Sequence, residues 1–394
     1  MRHALAPGAT LGYCTNVHAG ATIEQMRAQL QQHAVAVRQR ICPDQPMGVG
    51  LWFSDESART LLTQHGVADF REWLDSCGFL PYTLNGFPFG DFHQKVVKHD
   101  VYRPDWRGDS RLRYTENLAR ILAGLLPDDA AEGSISTLPL GWPDEFSTQS
   151  DRDAAHRQLI KLAGFLYRLE QESGKYIHVN LEPEPGCVLD TAEDVVTFFK
   201  SLRLAAGADE PHVRRYLGVC HDVCHSAVMF EPQAHALTAY RAAGIHVGKV
   251  QLSSAVRMPQ ACDAALRQLA AFCEERYLHQ TTLKAPDGGF AFYDDLPHAL
   301  EDLENTPSGA EWRVHFHVPV YLETFDHLTT TREQLLECLD AIKPEDQTHH
   351  FEVETYAWSV LPSPLQTATL AEGIANELAW VRDAVKQTHG NATQ

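Results

Sequence analysis

At 394 residues, 44% of them hydrophobic and 22% charged, the chain is long enough to bury a large core, as one barrel-sized domain or as two smaller ones. A formal net charge of −19 with no basic stripe argues against nucleic acid or an anionic membrane as partner, because both require clustered Lys and Arg. The opening Met1-Arg-His-Ala-Leu-Ala-Pro-Gly8 lacks the apolar stretch of a secretory signal, and no run approaches the roughly 18 apolar residues of a membrane span, so a soluble cytoplasmic protein is expected.

Strand and helix signals alternate along the chain. The short apolar runs Leu11–Asn16, Met47–Phe53, Tyr82–Gly86 and Ser134–Leu140 are each followed by an amphipathic stretch, at Thr22–Ile41, Ser57–Cys77, Asn117–Leu126 and Asp153–Ser173. The second half continues with strand-like segments at Tyr176–Pro185, Tyr216–His225, Lys249–Ser254, Arg313–Pro319 and His350–Tyr356. Its helices are expected at Thr191–Leu204, Pro232–Ala243, Pro259–Arg276, Thr331–Ile342 and Pro364–Thr388. Thr191, with Asp194 three residues on, and Thr331, with Glu333 in the first turn, are plausible helix starts. Strict alternation implies a parallel sheet, and at this number of units a closed (β/α)8 barrel, a TIM barrel.

Nine strand candidates are one too many for eight. His279–Leu283 and Gly288–Tyr293, on either side of Pro286-Asp-Gly288, read as a hairpin inserted after the seventh unit, over about 277–320. Either the Arg313 strand belongs to the insertion and lies over the barrel mouth, or the first segment pairs differently. Asp105–Tyr114 and Pro127–Gly133 are polar loops too short to divide domains, so residues 1–394 form one domain with a fraying polar tail, Thr388–Gln394.

Four segments end in residues that bind metals: Glu182 and Glu184 in Tyr176–Pro185, Asp222 in Tyr216–His225, His315 and His317 in Arg313–Pro319, and Glu354 in His350–Tyr356. Glu182, Asp222, His317 and Glu354 offer hard oxygens and an imidazole to one divalent cation and leave positions open for a substrate. Only the residue nearest a strand's C-terminal end faces such a site, which selects Glu354 over Glu352. Nine scattered cysteines do not make a disulfide framework, and Cys220 and Cys224 lack the second pair that a structural zinc site requires. The aromatic-rich loop from Phe87 to Trp106, which includes His93, is suited to close over a substrate.

The strands ending Leu181-Glu-Pro-Glu-Pro185, His221-Asp-Val-Cys-His225, Val250-Gln-Leu-Ser253 and Glu352-Val-Glu-Thr-Tyr356 resemble those of the xylose isomerase-like superfamily of TIM barrels, which includes sugar isomerases, ketose epimerases and endonuclease IV. More narrowly, Gly12–His18, Gly50–Phe53 and the loop Asn85–His93 resemble the metabolite traffic proteins called EboE. The resemblance implies metal ligation by Glu182, Asp222 and Glu354 and places His225 toward the substrate. Where the superfamily has a ligand histidine on the seventh strand this chain has Gln251, so Gln251, or His317 or His315, completes the set. The implied activity is a metal-dependent isomerase, epimerase or related lyase acting on a small polyhydroxylated metabolite, with Glu182 and Glu354 as acid and base and His225 orienting a hydroxyl. Glu184, Gln251, Lys249, Phe87, His93 and Trp106 are the expected substrate contacts. Manganese or zinc suits the mixed carboxylate and imidazole set. The alternatives are a phosphoesterase of the endonuclease IV kind and a non-catalytic metabolite-binding protein.

Overall fold

The strands are buried on both faces, their polar residues included, and a parallel barrel ringed by helices provides that cover. The computed structural model describes residues 8–63 and 65–390. Residues 391–394 of the expected tail lie outside that range. Eight parallel strands close the barrel: β1 (Thr10–Cys14), β2 (Met47–Leu51), β3 (Phe79–Asn85), β4 (Glu132–Thr137), β5 (Tyr176–Leu181), β6 (Leu217–Asp222), β7 (Val247–Leu252) and, after the insertion, β14 (His350–Val353). They run in sequence order around the barrel, and β14 closes it between β7 and β1.

The insertion is larger than the sequence suggests. It forms an antiparallel sheet of six strands, β8 (Val256–Met258), β9 (Thr281–Lys284), β10 (Phe290–Tyr293), β11 (Glu311–Val314), β12 (Thr324–Phe325) and β13 (Leu328–Thr330), in the order β10-β9-β11-β8-β13-β12. The hairpin β9–β10 and the surplus Arg313 strand, as β11, both belong to it. It opens at Val256, directly after β7, and the helix that completes the seventh unit comes only at Arg332–Ala341, so it lies inside that unit and not after it. The stretch Pro259–Arg276 is therefore no barrel helix. Only Asp263–Leu269 is α-helical, within the insertion.

Other element boundaries differ for local reasons. Ser57–Cys77 is two helices, Asp55–Leu61 and Gly66–Cys77, and the loop expected at Asp105–Tyr114 is already helical from Asp109. Thr191 forms a capping box with Asp194. Thr331 also precedes its helix, but its hydroxyl instead accepts the N–H of Ala255 at 2.9 Å and ties the helix start to the insertion. Among the described residues no helix is long and apolar enough to cross a membrane.

Inside the barrel, Lys249 of β7 and Glu352 of β14 form a fully buried ion pair at 2.5 Å. Asn85 of β3 joins it, accepting from Lys249 Nζ at 2.7 Å and donating to Glu352 at 3.2 Å. The pair occupies space that only glycine leaves free, since a Cβ on Gly50 of β2 would sit 1.1 Å from Glu352 Oε1. Burying two charges is tolerable only while both keep their partners. Gly50→Ala should therefore destabilise the chain by about 1–3 kcal/mol, the usual cost of forcing atoms into a packed core, as read from a urea unfolding curve.

Candidate metal centre

Each carboxylate at the barrel mouth is fixed by the strand end that carries it. Glu182 follows β5, and its N–H continues the ladder to Thr137 O at 2.9 Å. Asp222 ends β6 and also caps the short helix Val223–Val228, its Oδ1 accepting the backbone N–H of His225 at 3.0 Å and the Ser253 hydroxyl at 2.7 Å. That cap sets His225 three residues on, in the first turn over the mouth. Glu354 follows β14, its N–H bound to Leu252 O at 3.2 Å and its Oε1 accepting the Cys14 thiol at 3.3 Å.

Glu182, Asp222 and Glu354 each bring a carboxylate oxygen within 4.8 Å of the other two, and all three are buried. Asp222 Oδ2 has no hydrogen-bond partner. At 4 Å and an effective dielectric near 20, each like-charge pair costs about 4 kcal/mol. The protonation states separate accordingly. Burial lifts the Glu182 carboxyl to about 7 against the pull of His225, and burial together with the charges of Glu182 and Asp222 lifts Glu354 well above the carboxylate range. Burial also pushes Asp222 up, but the imidazoles of His225 and His317, the His225 N–H and Ser253 outweigh it and keep Asp222 below its ordinary value.

Three imidazoles adjoin the carboxylates. The Nδ1 of His225 donates to Pro183 O at 2.7 Å, that of His317 to Glu354 O at 2.8 Å, and that of His315 to Gln280 Oε1 at 2.7 Å. The Gln280 orientation is itself set, because its Nε2 donates to Glu184 Oε1 at 3.0 Å. With every Nδ1 committed to an acceptor, the bare Nε2 atoms face one another, His225 to His315 at 3.1 Å and His315 to His317 at 3.3 Å. Nitrogens on adjacent corners of a tetrahedral metal lie about 3.3–3.4 Å apart, given bonds of about 2.0–2.1 Å. A partner behind each ring that bares the other nitrogen is the outer-shell pattern of metal sites. Burial holds His317 down at about 4 and His315 well below the usual range, so both are neutral ligands at neutral pH. His225 is instead raised, burial being overcome by Asp222, Glu184 and Glu182.

The residues expected from sequence divide into two groups. Glu182, Glu184, His225, His317, Glu354 and Phe87 line one pocket at the mouth, with Asp222 beneath it against His317, Oδ2 to Nε2 at 4.0 Å. Glu184 accepts from Tyr102 Oη at 2.8 Å and from Gln280. The remaining expectations need correction. Lys249 lies inside the barrel with its charge bound to Glu352, so it makes no substrate contact. Gln251 joins the same interior network through Asn85 Oδ1 at 3.0 Å. Its Oε1 has no partner, but it does not line the pocket. Trp106 is fully buried in the hydrophobic core, and His93 is turned away, its Nε2 held by Asn16 O at 2.6 Å, while its neighbour Phe92 reaches the pocket. Sequence reading missed the aromatic wall of Tyr277 and Tyr356, and it missed Glu377. Glu377, buried in the last helix, accepts from Thr355 Oγ1 at 2.6 Å, Trp358 Nε1 at 3.1 Å and the Val320 N–H at 3.2 Å, so it joins the strand end carrying Glu354 to the segment carrying His317. A glutamate in an otherwise apolar helical stripe was the available signal.

No family model and no curated protein matches this chain. Solved structures do. A D-tagatose 3-epimerase-like protein is 11% identical, with 97% of this chain and 99% of that one covered, at a TM-score of 0.51. A xylose isomerase-like TIM barrel protein from Mycobacterium smegmatis in complex with magnesium is 12% identical over 96% and 97%, at 0.50. A xylose isomerase domain protein from Planctomyces limnophilus is 15% identical over 98% and 100%, also at 0.50. The fold is that of the xylose isomerase-like TIM barrels. At these identities the likeness extends to the fold alone.

Two outcomes follow from the site's chemistry. A cation bound at Glu182 and Glu354 displaces a proton from each, that of Glu182 leaving at about pH 7 and that of Glu354 held well above the carboxylate range, so affinity should fall at least tenfold per unit as pH drops below 7, with a break near 7 from Glu182. A chelator-competition titration of Glu182→Gln should lack that break. Glu377→Ala strands three buried donors and should cost at least about 2 kcal/mol in urea unfolding.

Proposed function

We propose that this chain is a metal-dependent isomerase or epimerase, or a related lyase, acting on a small polyhydroxylated metabolite. The observation that carries the reading is the convergence of Glu182, Asp222 and Glu354, buried within 4.8 Å of one another, while the lysines nearest them among the described residues are committed elsewhere. Lys249 is paired with Glu352, and Lys98, which lines the pocket, is bound to Asp295. A divalent cation relieves that conflict, and when bound it polarises the oxygens of a substrate. Zinc or manganese fits the carboxylate and imidazole donors.

The residues take roles from their protonation. Glu182 and Glu354 are the acid and base: without a cation, burial keeps Glu182 at about 7 and Glu354 well above the carboxylate range, and with a cation bound those protons leave and the two carboxylates are free to exchange them with the substrate. Asp222 stays ionised. His225, fixed by Pro183 O, presents Nε2 toward a substrate hydroxyl. The aromatic walls, Phe87, Phe92, Tyr277 and Tyr356, exclude water from the exchange. The narrower likeness to the EboE proteins favours a place in a secondary-metabolite pathway and leaves the reaction open.

One observation favours a second reading. Two of the three imidazoles at a time join a carboxylate, Glu184 with His225 and His315 and Asp222 with His225 and His317, each set with its ligand atoms within 4.8 Å, and these fit a further cation, as a metal-dependent phosphoesterase would need. Metal content separates the two. Under the isomerase reading, the mouth should hold about one transition metal per chain, counted by mass spectrometry as the metal that Asp222→Asn or Glu354→Gln releases while keeping the fold, and a chelator should lower the melting temperature. The intact protein should also exchange deuterium from heavy water into a carbon-bound hydrogen of a ketose panel. Release of two or more metals per chain by the same substitutions, with hydrolysis of a phosphodiester probe by the intact protein, would favour the second reading. A metal-free protein whose stability ignores chelator, manganese and zinc would leave a non-catalytic binding protein.

A further inference from the structure

The opposite end of the barrel carries a second group of ligand-type side chains that the mouth chemistry does not use. Glu132 is the first residue of β4, His178 the third of β5, and His246 immediately precedes β7, so all three sit at the N-terminal ends of their strands. One ligand atom from each lies within 4.8 Å of the others. We propose that this barrel floor binds a divalent cation, best matched by zinc, through Glu132, His178 and His246.

Glu132 and His178 are each held from behind, as ligands are. His178 points its Nδ1 at Asn180 Oδ1, 3.1 Å away. Its Nε2 is buried, lies 3.2 Å from Glu132 Oε1, and makes no hydrogen bond there, so the two atoms sit side by side without a proton aligned between them. The other oxygen of Glu132 is taken by His349 Nδ1 at 2.7 Å, which turns Oε1 inward. His246 packs edge-on against His178, ring centres 5.4 Å apart.

The space is kept open by glycine. A Cβ on Gly248 would lie 2.4 Å from His178 Cε1 and 2.5 Å from its Nδ1, so only glycine at that position of β7 admits the ring in this pose. His350 stacks on the far face of the cluster, 6.0 Å from His178 at 11°, and is itself fixed by Ser134 Oγ at 2.8 Å. Two imidazoles and one carboxylate are a zinc donor set that leaves a fourth position for water, and the Glu132 side chain, 24% exposed, gives solvent access to it. A cation here would fasten β4, β5 and the loop before β7 far from the mouth. Its role is structural, and it does not depend on what the mouth catalyses.

The test separates the two ends. In the full chain, Asp222→Asn with His315→Gln removes the carboxylate and the central imidazole of the mouth, and circular dichroism checks the fold. This parent, stripped with chelator and reloaded, should still take up one zinc per chain. Loaded with cobalt(II), it should show the visible bands of a tetrahedral nitrogen-ligated site. Adding Glu132→Gln or His246→Gln should weaken zinc binding at least tenfold and abolish those bands. A parent that takes up no zinc, or floor variants that bind as tightly as their parent, would overturn the proposal. If a floor variant fails to fold, the parent's stoichiometry and cobalt spectrum decide alone.

Discussion

Uncompensated negative charge at the barrel mouth is the constraint around which the rest is arranged. Glu182, Glu184, Asp222 and Glu354 are all buried, and the one fully buried ammonium in the barrel, Lys249, is already committed to Glu352. Proteins rarely bury carboxylates without partners. The hydrogen bonds here spread the cost unevenly: Glu184 is satisfied by Tyr102 and Gln280, and Asp222 by Ser253 and the helix it caps, whereas Glu182 and Glu354 are left to hold protons. That unevenness gives neighbouring, chemically identical groups different tasks.

The barrel was legible in the sequence because its strands are short, apolar and separated by helical stripes, a pattern that survives errors of several residues at the ends. Glu182, Asp222 and Glu354 were legible for a related reason. Asp222 is the last residue of its strand and Glu182 and Glu354 come directly after theirs, and in this architecture strand ends share one face. Lys249 and Gln251 were misjudged by the same rule, since a residue two places earlier on a strand also points inward but one layer deeper, where it meets Asn85 and Glu352 and not a ligand. Trp106 illustrates the other limit. An aromatic in a loop reads the same whether it lines a cavity or fills the core, and only three-dimensional packing decides.

The insertion was half visible. The hairpin at β9–β10 announced itself through Pro286-Asp-Gly288, but β8, β12 and β13 are two or three residues long and carry no periodicity of their own. They exist because β11 needs neighbours. His315 and His317 follow β11 with Phe316 between them, and Phe316 turns into the insertion's own core against Phe272 and His279, which points both imidazoles the other way, toward the barrel. Pairing of distant segments, invisible to any local window, thus supplies two of the three nitrogen donors, the third, His225, coming from the barrel.

The mouth is therefore assembled from two bodies of different origin, the carboxylates and His225 from the barrel and His315 and His317 from the insertion, meeting across a seam. An excursion of the inserted sheet would withdraw His315 and His317 while leaving the carboxylates and His225 in place, so a cation seated there would act as a rivet whose departure rate is tied to the opening of that sheet. Glu377, bonded on one side to Thr355 and on the other to Val320, already pins the seam from behind. Because the donors on each side are carried by separate structural units, remodelling of the insertion alone could retune which cation is preferred without disturbing the barrel that presents the acids.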